Sequence, residues 1–135
     1  MDTKQHKILV VEDDVPMREA LVGRFKKEGF AVVAAGDGAA GQTVALSEKP
    51  DLIVLDILMP HIDGIAMLKK LREDTWGKAV PVVLLTNLQP DSEELNEAIT
   101  TTDPAFFLIK SALTPGDIVQ KVRERLAQDD LTAAT

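Results

Sequence analysis

Five short apolar runs recur along the chain, separated by longer segments in which apolar residues return at helical spacing. Each run has four or five residues that are mostly β-branched, leucine or aromatic, and the runs are continuous rather than alternating. A continuous run is expected where both faces of a strand are covered, as in a parallel sheet between two layers of helices. The predicted strands are Ile8–Val11, Ala31–Ala35, Leu52–Leu55, Val82–Leu85 and Phe106–Ile109.

The segments between the runs carry apolar stripes with a spacing of three or four residues, which is typical of amphipathic helices. The stripes are Met17, Leu21 and Phe25; Ile65, Leu68 and Leu71; and Ile118, Val122 and Leu126. The boundary signals are Gly29 after the first helix, Asp91 and Glu94 as a capping box, and Thr114, Pro115 and Asp117 at the start of the last helix. Strands that alternate with helices predict an α/β fold with right-handed βαβ units. We expect a doubly wound, five-stranded parallel sheet, (βα)5 and flavodoxin-like, with strand order 2-1-3-4-5.

The composition fits one globular domain. The chain has 135 residues, of which 45% are apolar and 27% charged, and this resembles neither a disordered segment nor a membrane protein. Apolar periodicity is lost near the end, so we predict a domain over residues 1–127 and a flexible C-terminal tail over residues 128–135.

Charge and cysteine content limit the cellular compartment and the classes of partner that the sequence allows. The chain has no cysteine, which excludes disulfides and thiolate metal sites and fits a reducing cytoplasm. The first apolar run ends at Glu12, far short of a signal-peptide core or a membrane span. A net charge of -7 disfavours direct binding to nucleic acid. We therefore expect a cytoplasmic protein that binds neither membrane nor nucleic acid directly.

Polar side chains follow four of the five predicted strands at the point where each strand ends. They are Glu12-Asp13-Asp14, Asp56, Thr86-Asn87 and Lys110-Ser111. In open α/β sheets, ligands bind outside the carboxyl ends of the strands, where the strand order reverses. With the order 2-1-3-4-5 these strands are neighbours, so the acids, a hydroxyl and an ammonium are expected to converge.

The charges of this group predict a divalent cation. Glu12, Asp13 and Asp56 sum to -3 and Lys110 adds +1, which leaves -2. Without a cation, repulsion would raise the pKa of at least one carboxyl. Oxygen ligands with open positions for water and phosphate favour Mg²⁺ (or Mn²⁺) over an enclosed Ca²⁺ site. In such a site the Asp56 carboxylate could attack phosphorus to form an acyl phosphate, while Lys110 and Thr86 contact the phosphoryl oxygens.

The residues, taken in order, resemble the response-regulator receiver domains of two-component signalling, with a stand-alone, chemotaxis-regulator-like character. The resemblance runs from about Lys7 to Leu126 and is carried by residues 7–14, residues 50–60, Asp63-Gly64, Thr86 and Lys110. It implies a phosphoacceptor in a phosphorelay, with self-catalysed phosphoryl transfer but no other enzyme activity. The implied partners are a sensor histidine kinase or phosphotransfer protein and a downstream protein target, with a phosphorylation-dependent dimer as a further implied assembly.

The resemblance also assigns roles to single residues. Asp56 corresponds to the phosphoacceptor, Glu12 and Asp13 to the metal-binding acids, and Leu58 to the residue whose backbone carbonyl completes the metal shell.

Two further residues are implied to form the switch. Thr86 and Phe107 correspond to the pair that moves together on phosphorylation and remodels the surface of helix four, strand five and helix five. Leu58 and Leu88 lie two positions beyond Asp56 and Thr86 and are aliphatic, so they should hinder an attacking water. Slow autodephosphorylation is the expected result.

The chain departs from the family pattern in three places. Ser111 follows the lysine where the family commonly has a cis-proline, and a cis bond without proline costs ~2.5–4 kcal/mol, so the reach of Lys110 is open. Asn87 follows Thr86 where a small residue is frequent, and Asp103-Pro104 replaces a Gly-Ala pair. Each change bears on the phosphate pocket or on the partner-binding surface.

Two other functions stay open. An aspartyl phosphatase needs a second aspartate two positions after the nucleophile, where this chain has Leu58. A phosphorylation-independent, receiver-like interaction module would bind its partner constitutively, which the full set of acids, hydroxyl and lysine disfavours. The residues also leave open whether the chain acts alone or is part of a longer regulator.

Several other residues have simpler interpretations. Residues 36–41 match GxGxxG, but a dinucleotide fingerprint should follow the first strand, so we interpret these as turn and helix-start glycines. His6 and His61 have no catalytic partner in the sequence and are expected in exposed loops. Trp76 and Met59 are expected to be packing residues.

Overall fold

The architecture is a strict alternation of strands and helices. It is taken from a computed structural model, which describes residues 5–57, 64–87, 92–102 and 104–133. In chain order the elements are β1 (Lys7–Val11), α1 (Val15–Lys27), β2 (Ala31–Ala35), α2 (Gly38–Glu48), β3 (Leu52–Asp56), α3 (Gly64–Leu71), β4 (Val82–Thr86), α4 (Glu93–Thr102), β5 (Phe106–Ile109), a 3₁₀ helix (Lys110–Ala112) and α5 (Pro115–Ala133). Each predicted strand is present, and three of them extend by one residue.

The five strands form one sheet in the order β2-β1-β3-β4-β5, and every neighbouring pair is parallel. The predicted fold class and strand order are therefore confirmed. All residues of β3 and β4 are buried, whereas the edge strands β2 and β5 are only half-buried for most of their length. Both faces of the central strands are thus covered, as their continuous apolar runs predict, whereas the same pattern in β2 and β5 does not correspond to full burial.

Alternate residues of the strands feed two separate cores, one on each face of the sheet, because successive side chains in a strand point to opposite faces. The first core joins the sheet to α2, α3 and α4 and includes Leu9, Ile53, Leu55, Leu84, Ala45, Met67, Leu71 and Leu95. The second joins it to α1 and α5 and includes Ile8, Val10, Val54, Leu85, Leu21, Phe25, Val122 and Leu126. Within the described residues, no helix has both the length and the apolar character to cross a membrane.

Polar side chains fix the start of the helices that frame the sheet. Asp14 caps α1, where its Oδ2 accepts a hydrogen bond from the backbone N–H of Met17 at 3.0 Å. At α5, Thr114 Oγ1 accepts from the N–H of Asp117 at 3.1 Å and Asp117 Oδ2 accepts from the N–H of Thr114 at 3.0 Å. These reciprocal bonds lower the pKa of the Asp117 carboxyl. Each bond satisfies an N–H that the helix itself leaves without a partner.

The start of α4 differs from the predicted capping box of Asp91 and Glu94. Ser92 Oγ accepts a hydrogen bond from the N–H of Leu95 at 3.2 Å, so Ser92 is the capping side chain in the described structure. Asp91 lies outside the described residues. A serine directly before the helix is as good a cap as an aspartate, which explains why the sequence alone could not choose between neighbouring positions.

The end of α5 also differs from the prediction. The helix continues to Ala133, whereas the sequence predicts a flexible tail from residue 128. Two contacts hold the added turns: Arg125 Nε pairs with Asp129 Oδ1 at 3.0 Å, and His6 Nε2 lies 3.0 Å from Asp130 Oδ2. Because these turns are held by polar side chains, the apolar periodicity of the sequence ends before the helix does.

The prediction that His6 lies in an exposed loop is wrong. It is only 8% exposed, because Asp130 of α5 covers one ring nitrogen and Asp51 lies on the other side, with its Oδ2 3.7 Å from His6 Nδ1. The ring therefore joins the amino ends of β1 and β3 to the last turns of α5. His61 lies outside the described residues.

Replacing Asp130 with alanine is expected to lower the free energy of unfolding by about 1 kcal/mol, because a charged hydrogen-bond partner of a buried ring is lost at a half-exposed position. Asp129→Ala is the matched control: it breaks only the i,i+4 pair with Arg125 within α5 and should cost about 0.3 kcal/mol. Urea denaturation measures both. Equal effects of the two variants would show that the His6 contact does not hold the end of the helix.

The glycine-rich motif has a packing role. The strand before the motif, β2, lies on the edge of the sheet, whereas a dinucleotide fingerprint would follow the first strand, β1, which lies inside it. Gly41 is buried inside α2, and a Cβ added there would lie 3.0 Å from the Val11 side chain and 2.9 Å from Met67 Sδ. Trp76 is half-buried against the first core, in agreement with the predicted packing role, and Met59 lies outside the described residues.

Candidate functional site

The carboxyl ends of the central strands carry the polar residues singled out in the sequence. Glu12 directly follows β1, while Asp56 and Thr86 are the last residues of β3 and β4. Lys110 directly follows β5. Because these four strands are consecutive in the sheet, their ends form one edge, and the predicted convergence depends on that topology.

Three acids form a compact cluster at this edge. Carboxylate oxygens of Glu12, Asp13 and Asp56 lie within 4.8 Å of one another. Glu12 and Asp56 are 0% and 4% exposed, whereas Asp13 keeps access to solvent. The cluster therefore combines buried charge with an opening to water.

Local hydrogen bonds set the path of the chain through the acids. Glu12 Oε2 accepts from the N–H of Asp14 at 3.2 Å, and Asp14 in turn caps α1. Arg18, one turn into α1, donates from Nη1 to the backbone carbonyl of Glu12 at 2.9 Å. Arg18 could not be singled out from the sequence, since a basic residue on a helix most often points to solvent and no local motif marks its contact with Glu12.

Lys110 reaches the acids from two strands away. Its Nζ lies 3.0 Å from Asp56 Oδ2 and 2.6 Å from Glu12 Oε1. Since β4 lies between β5 and β3, the backbones of β5 and β3 are about 10 Å apart. The extended Lys110 side chain, the 3.0 Å contact and the Asp56 side chain together close this gap. The serine that follows does not prevent this reach, although the sequence left the point open. Lys110 is thus a cation in direct contact with both buried acids.

The electrostatics of the cluster follow from burial and like charge. Burial, together with the neighbouring Asp56 carboxylate, raises the pKa of Glu12 to about 7, although Lys110 opposes the shift. For Lys110, burial lowers the pKa, but the bonds and charges of Glu12 and Asp56 outweigh it and leave the pKa raised. The predicted rise in at least one carboxyl pKa is therefore seen, with burial as its main cause.

The two residues predicted to switch lie on neighbouring strands. Thr86 is fully buried at the end of β4, one position beyond Leu85, which pairs with Asp56 in the sheet. Phe107 pairs with Leu84 and is half-buried against the first core. Thr86 and Phe107 are therefore two residue pairs apart in the ladder between β4 and β5.

Gly64 brings α3 against the end of β3. Its N–H donates to the carbonyl of Ile57 at 3.2 Å, and a Cβ added at Gly64 would lie 2.4 Å from the Asp56 carbonyl oxygen. No other residue fits this approach without a backbone shift, which gives a physical reason for glycine here.

Three predicted features lie outside the described residues: Leu58 with its backbone carbonyl, Leu88, and Asp103 of the Asp103-Pro104 pair.

The response regulator receiver domain family matches residues 8–123 of this chain. The chain belongs to this family, which is generally a non-enzymatic signalling module of two-component systems and partners histidine kinases. The acidic cluster is of the kind that holds Mg²⁺ in receiver domains.

Curated relatives include the DNA-binding response regulator MtrA of Mycobacterium tuberculosis, 33% identical over 130 residues, which are 96% of this chain and 54% of that protein. The transcriptional activator protein PfeR of Pseudomonas aeruginosa is 39% identical over 90 residues, 67% of this chain and 28% of that protein. The chain therefore spans about half the length, or less, of the curated relatives it matches.

Solved structures agree on the fold. A CheY-like receiver domain from Methanospirillum hungatei has a TM-score of 0.84 at 21% identity, with 96% of this chain and 99% of that chain covered. The BeF3-activated N-terminal receiver domain of Klebsiella pneumoniae RstA has a TM-score of 0.73 at 30% identity, with 87% and 95% covered.

Proposed function

We propose that this receiver domain takes a phosphoryl group from a histidine kinase or phosphotransfer protein onto Asp56, with a divalent cation beside it, and so changes a protein-binding surface on α4, β5 and α5. The observation that carries the proposal is the position of Lys110 Nζ, 3.0 Å from Asp56 Oδ2 and 2.6 Å from Glu12 Oε1.

The donor set fits a hard divalent cation. Glu12, Asp13 and Asp56 offer only carboxylate oxygens, and their summed charge exceeds that of Lys110 by two. A partly open cluster of carboxylates that leaves room for water and phosphate suits Mg²⁺ or Mn²⁺. The Leu58 carbonyl is proposed as a further ligand. When bound, the cation would neutralise charge on the phosphoryl oxygens.

The chain's own residues account for the transfer step. A carboxylate oxygen of Asp56 forms the new bond to phosphorus, while the bond from phosphorus to the donor atom breaks and the donor keeps the electron pair. Lys110 is in place to pair with the phosphoryl oxygens as negative charge spreads over them. The Thr86 hydroxyl is proposed to donate a hydrogen bond to the same oxygens.

The output is proposed to run through Thr86 and Phe107. A shift of Thr86 toward the phosphoryl group would open space beside β5, and Phe107, which lacks a hydroxyl, can turn inward without leaving a buried donor unsatisfied. Phe107 supports this idea because it is only half-buried on the edge strand β5, where it packs against the first core, to which α4 contributes Leu95. The change would therefore be visible to a partner protein on that surface.

The test is mass spectrometry of the intact chain after incubation with acetyl phosphate and Mg²⁺. We expect a single phosphoryl adduct that forms in the wild-type chain and in the control variant Asp129→Asn on α5, but not in Asp56→Asn. An adduct that persists in Asp56→Asn would refute the assignment of the acceptor. No adduct with any donor, combined with phosphate-independent partner binding, would favour the constitutive interaction module instead.

A further inference from the structure

The ammonium of Lys110 can bridge Glu12 and Asp56 only if the backbone of Lys110 stays close to the end of the sheet. The side chain already spans one intervening strand, and it is 20% exposed. The backbone around it is a single 3₁₀ turn, Lys110–Ala112, without a side-chain cap at its start. Such short turns have poor hydrogen-bond geometry of their own, so an outside contact is needed to fix this one.

Asn87 supplies that contact. Its Oδ1 accepts a hydrogen bond of 2.8 Å from the backbone N–H of Ser111, the residue directly after Lys110. The backbone ladder between β4 and β5 ends at the pair Thr86 and Ile109. The amide side chain therefore extends the connection between the two strands beyond the ladder.

We infer that Asn87 is a positioning residue: by holding the N–H of Ser111, it fixes the turn from which Lys110 reaches the acids. The inference rests on the proposed function and names a further part of that site. It also gives one explanation for two departures from the family pattern. A proline at position 111 would have no N–H to donate, and an alanine or glycine at position 87 would have no acceptor.

The chain offers variants that separate this hydrogen bond from other effects. Asn87→Ala removes the acceptor, and Ser111→Pro removes the donor. Ser111→Ala is the matched control, because the donor is the backbone N–H and survives the loss of the hydroxyl. The double variant of Asn87→Ala and Ser111→Pro tests whether both changes act through the same bond.

The first readout is the rate of phosphorylation by acetyl phosphate at saturating Mg²⁺. Asn87→Ala and Ser111→Pro should each be slower by about threefold, which suits one exposed hydrogen bond, and the double variant should be no slower than either. Ser111→Ala should keep the wild-type rate. An unchanged rate in Asn87→Ala, or effects of the two changes that multiply, would overturn the inference.

The second readout is the NMR signal of the Lys110 side chain in protein labelled at lysine, assigned through Lys110→Arg. In Asn87→Ala and Ser111→Pro this signal should move toward that of an exposed lysine, whereas a merely structural role for Asn87 would leave it in place. This measurement needs no phosphorylation. If the wild-type chain takes no phosphoryl group, the proposed function fails, while a shifted Lys110 signal still supports the positioning role and an unshifted one rejects it.

Discussion

Replacing Gly64 with alanine is expected to destabilise the domain by about 3 kcal/mol and to remove most of the phosphorylation of Asp56. The added Cβ would lie 2.4 Å from the carbonyl oxygen of Asp56 and 2.6 Å from the Cα of Ile57. Both are backbone atoms, so no side chain can rotate away, and either α3 or the end of β3 has to move. A shift of β3 would carry the Asp56 carboxylate away from Lys110. Urea denaturation and the acetyl phosphate assay measure the two effects.

Alanine substitutions at two other glycines are controls that distinguish a displaced Asp56 from a general loss of stability. Gly77→Ala would bring a Cβ to 2.0 Å from the carbonyl oxygen of Leu71, but at the amino end of β4, away from the acids. It should destabilise the fold and still allow phosphorylation wherever it remains folded. Gly23→Ala in α1 meets nothing within 4 Å and should stabilise by up to about 1 kcal/mol. If folded Gly64→Ala is phosphorylated as fast as folded Gly77→Ala, the close approach does not position Asp56.

The fold could be predicted from the sequence because its strongest signals are local. The runs of β3 and β4 are apolar throughout, since both faces of these strands are buried, and the stripes of the helices point toward one face. Predicting that Glu12, Asp56 and Lys110 converge required one further inference from the strand order. In a parallel sheet the carboxyl ends of neighbouring strands meet at one edge, so residues far apart in the sequence become neighbours there.

The features that the sequence did not reveal are contacts between distant polar residues. His6 and Asp130 are 124 positions apart, and Asn87 and Ser111 are 24 positions apart. Neither pair belongs to an apolar pattern, and each residue alone fits an exposed loop or helix end. The extension of α5 was missed for the same reason.

Mg²⁺ is expected to bind more weakly at pH 6 than at pH 8, by about tenfold. Burial and the Asp56 carboxylate raise the pKa of Glu12 to about 7, against the opposing effect of Lys110. Below pH 7 a proton has to leave Glu12 before its carboxylate can bind the cation. The apparent affinity for Mg²⁺ therefore falls as the pH falls. The raised pKa of Lys110 keeps the ammonium charged throughout this range. Calorimetric titration of the chain with Mg²⁺ at the two pH values measures the change.

The raised pKa of Glu12 also determines how the free energy of unfolding of the metal-free chain changes with pH. The ordinary pKa of the group is 4.5, so between pH 4.5 and about 7 the folded state binds more protons than the unfolded state. The stabilising contribution is complete below pH 4.5 and is lost as the pH rises through 7, at a cost of up to about 3 kcal/mol. Added Mg²⁺ should offset this loss at pH 8 far more than at pH 6.

Glu12→Gln is the control, because it keeps the shape of the side chain and removes the titrating proton. This variant should bind Mg²⁺ weakly at both pH values, and its metal-free stability should lack the part of the decline that wild-type Glu12 causes. If the wild-type chain binds Mg²⁺ equally well at pH 6 and pH 8, or if Glu12→Gln keeps the full pH dependence, then Glu12 is not the group that couples protons to the metal. In that case the buried acid would serve mainly to hold Lys110, and the cation would depend on Asp13 and Asp56.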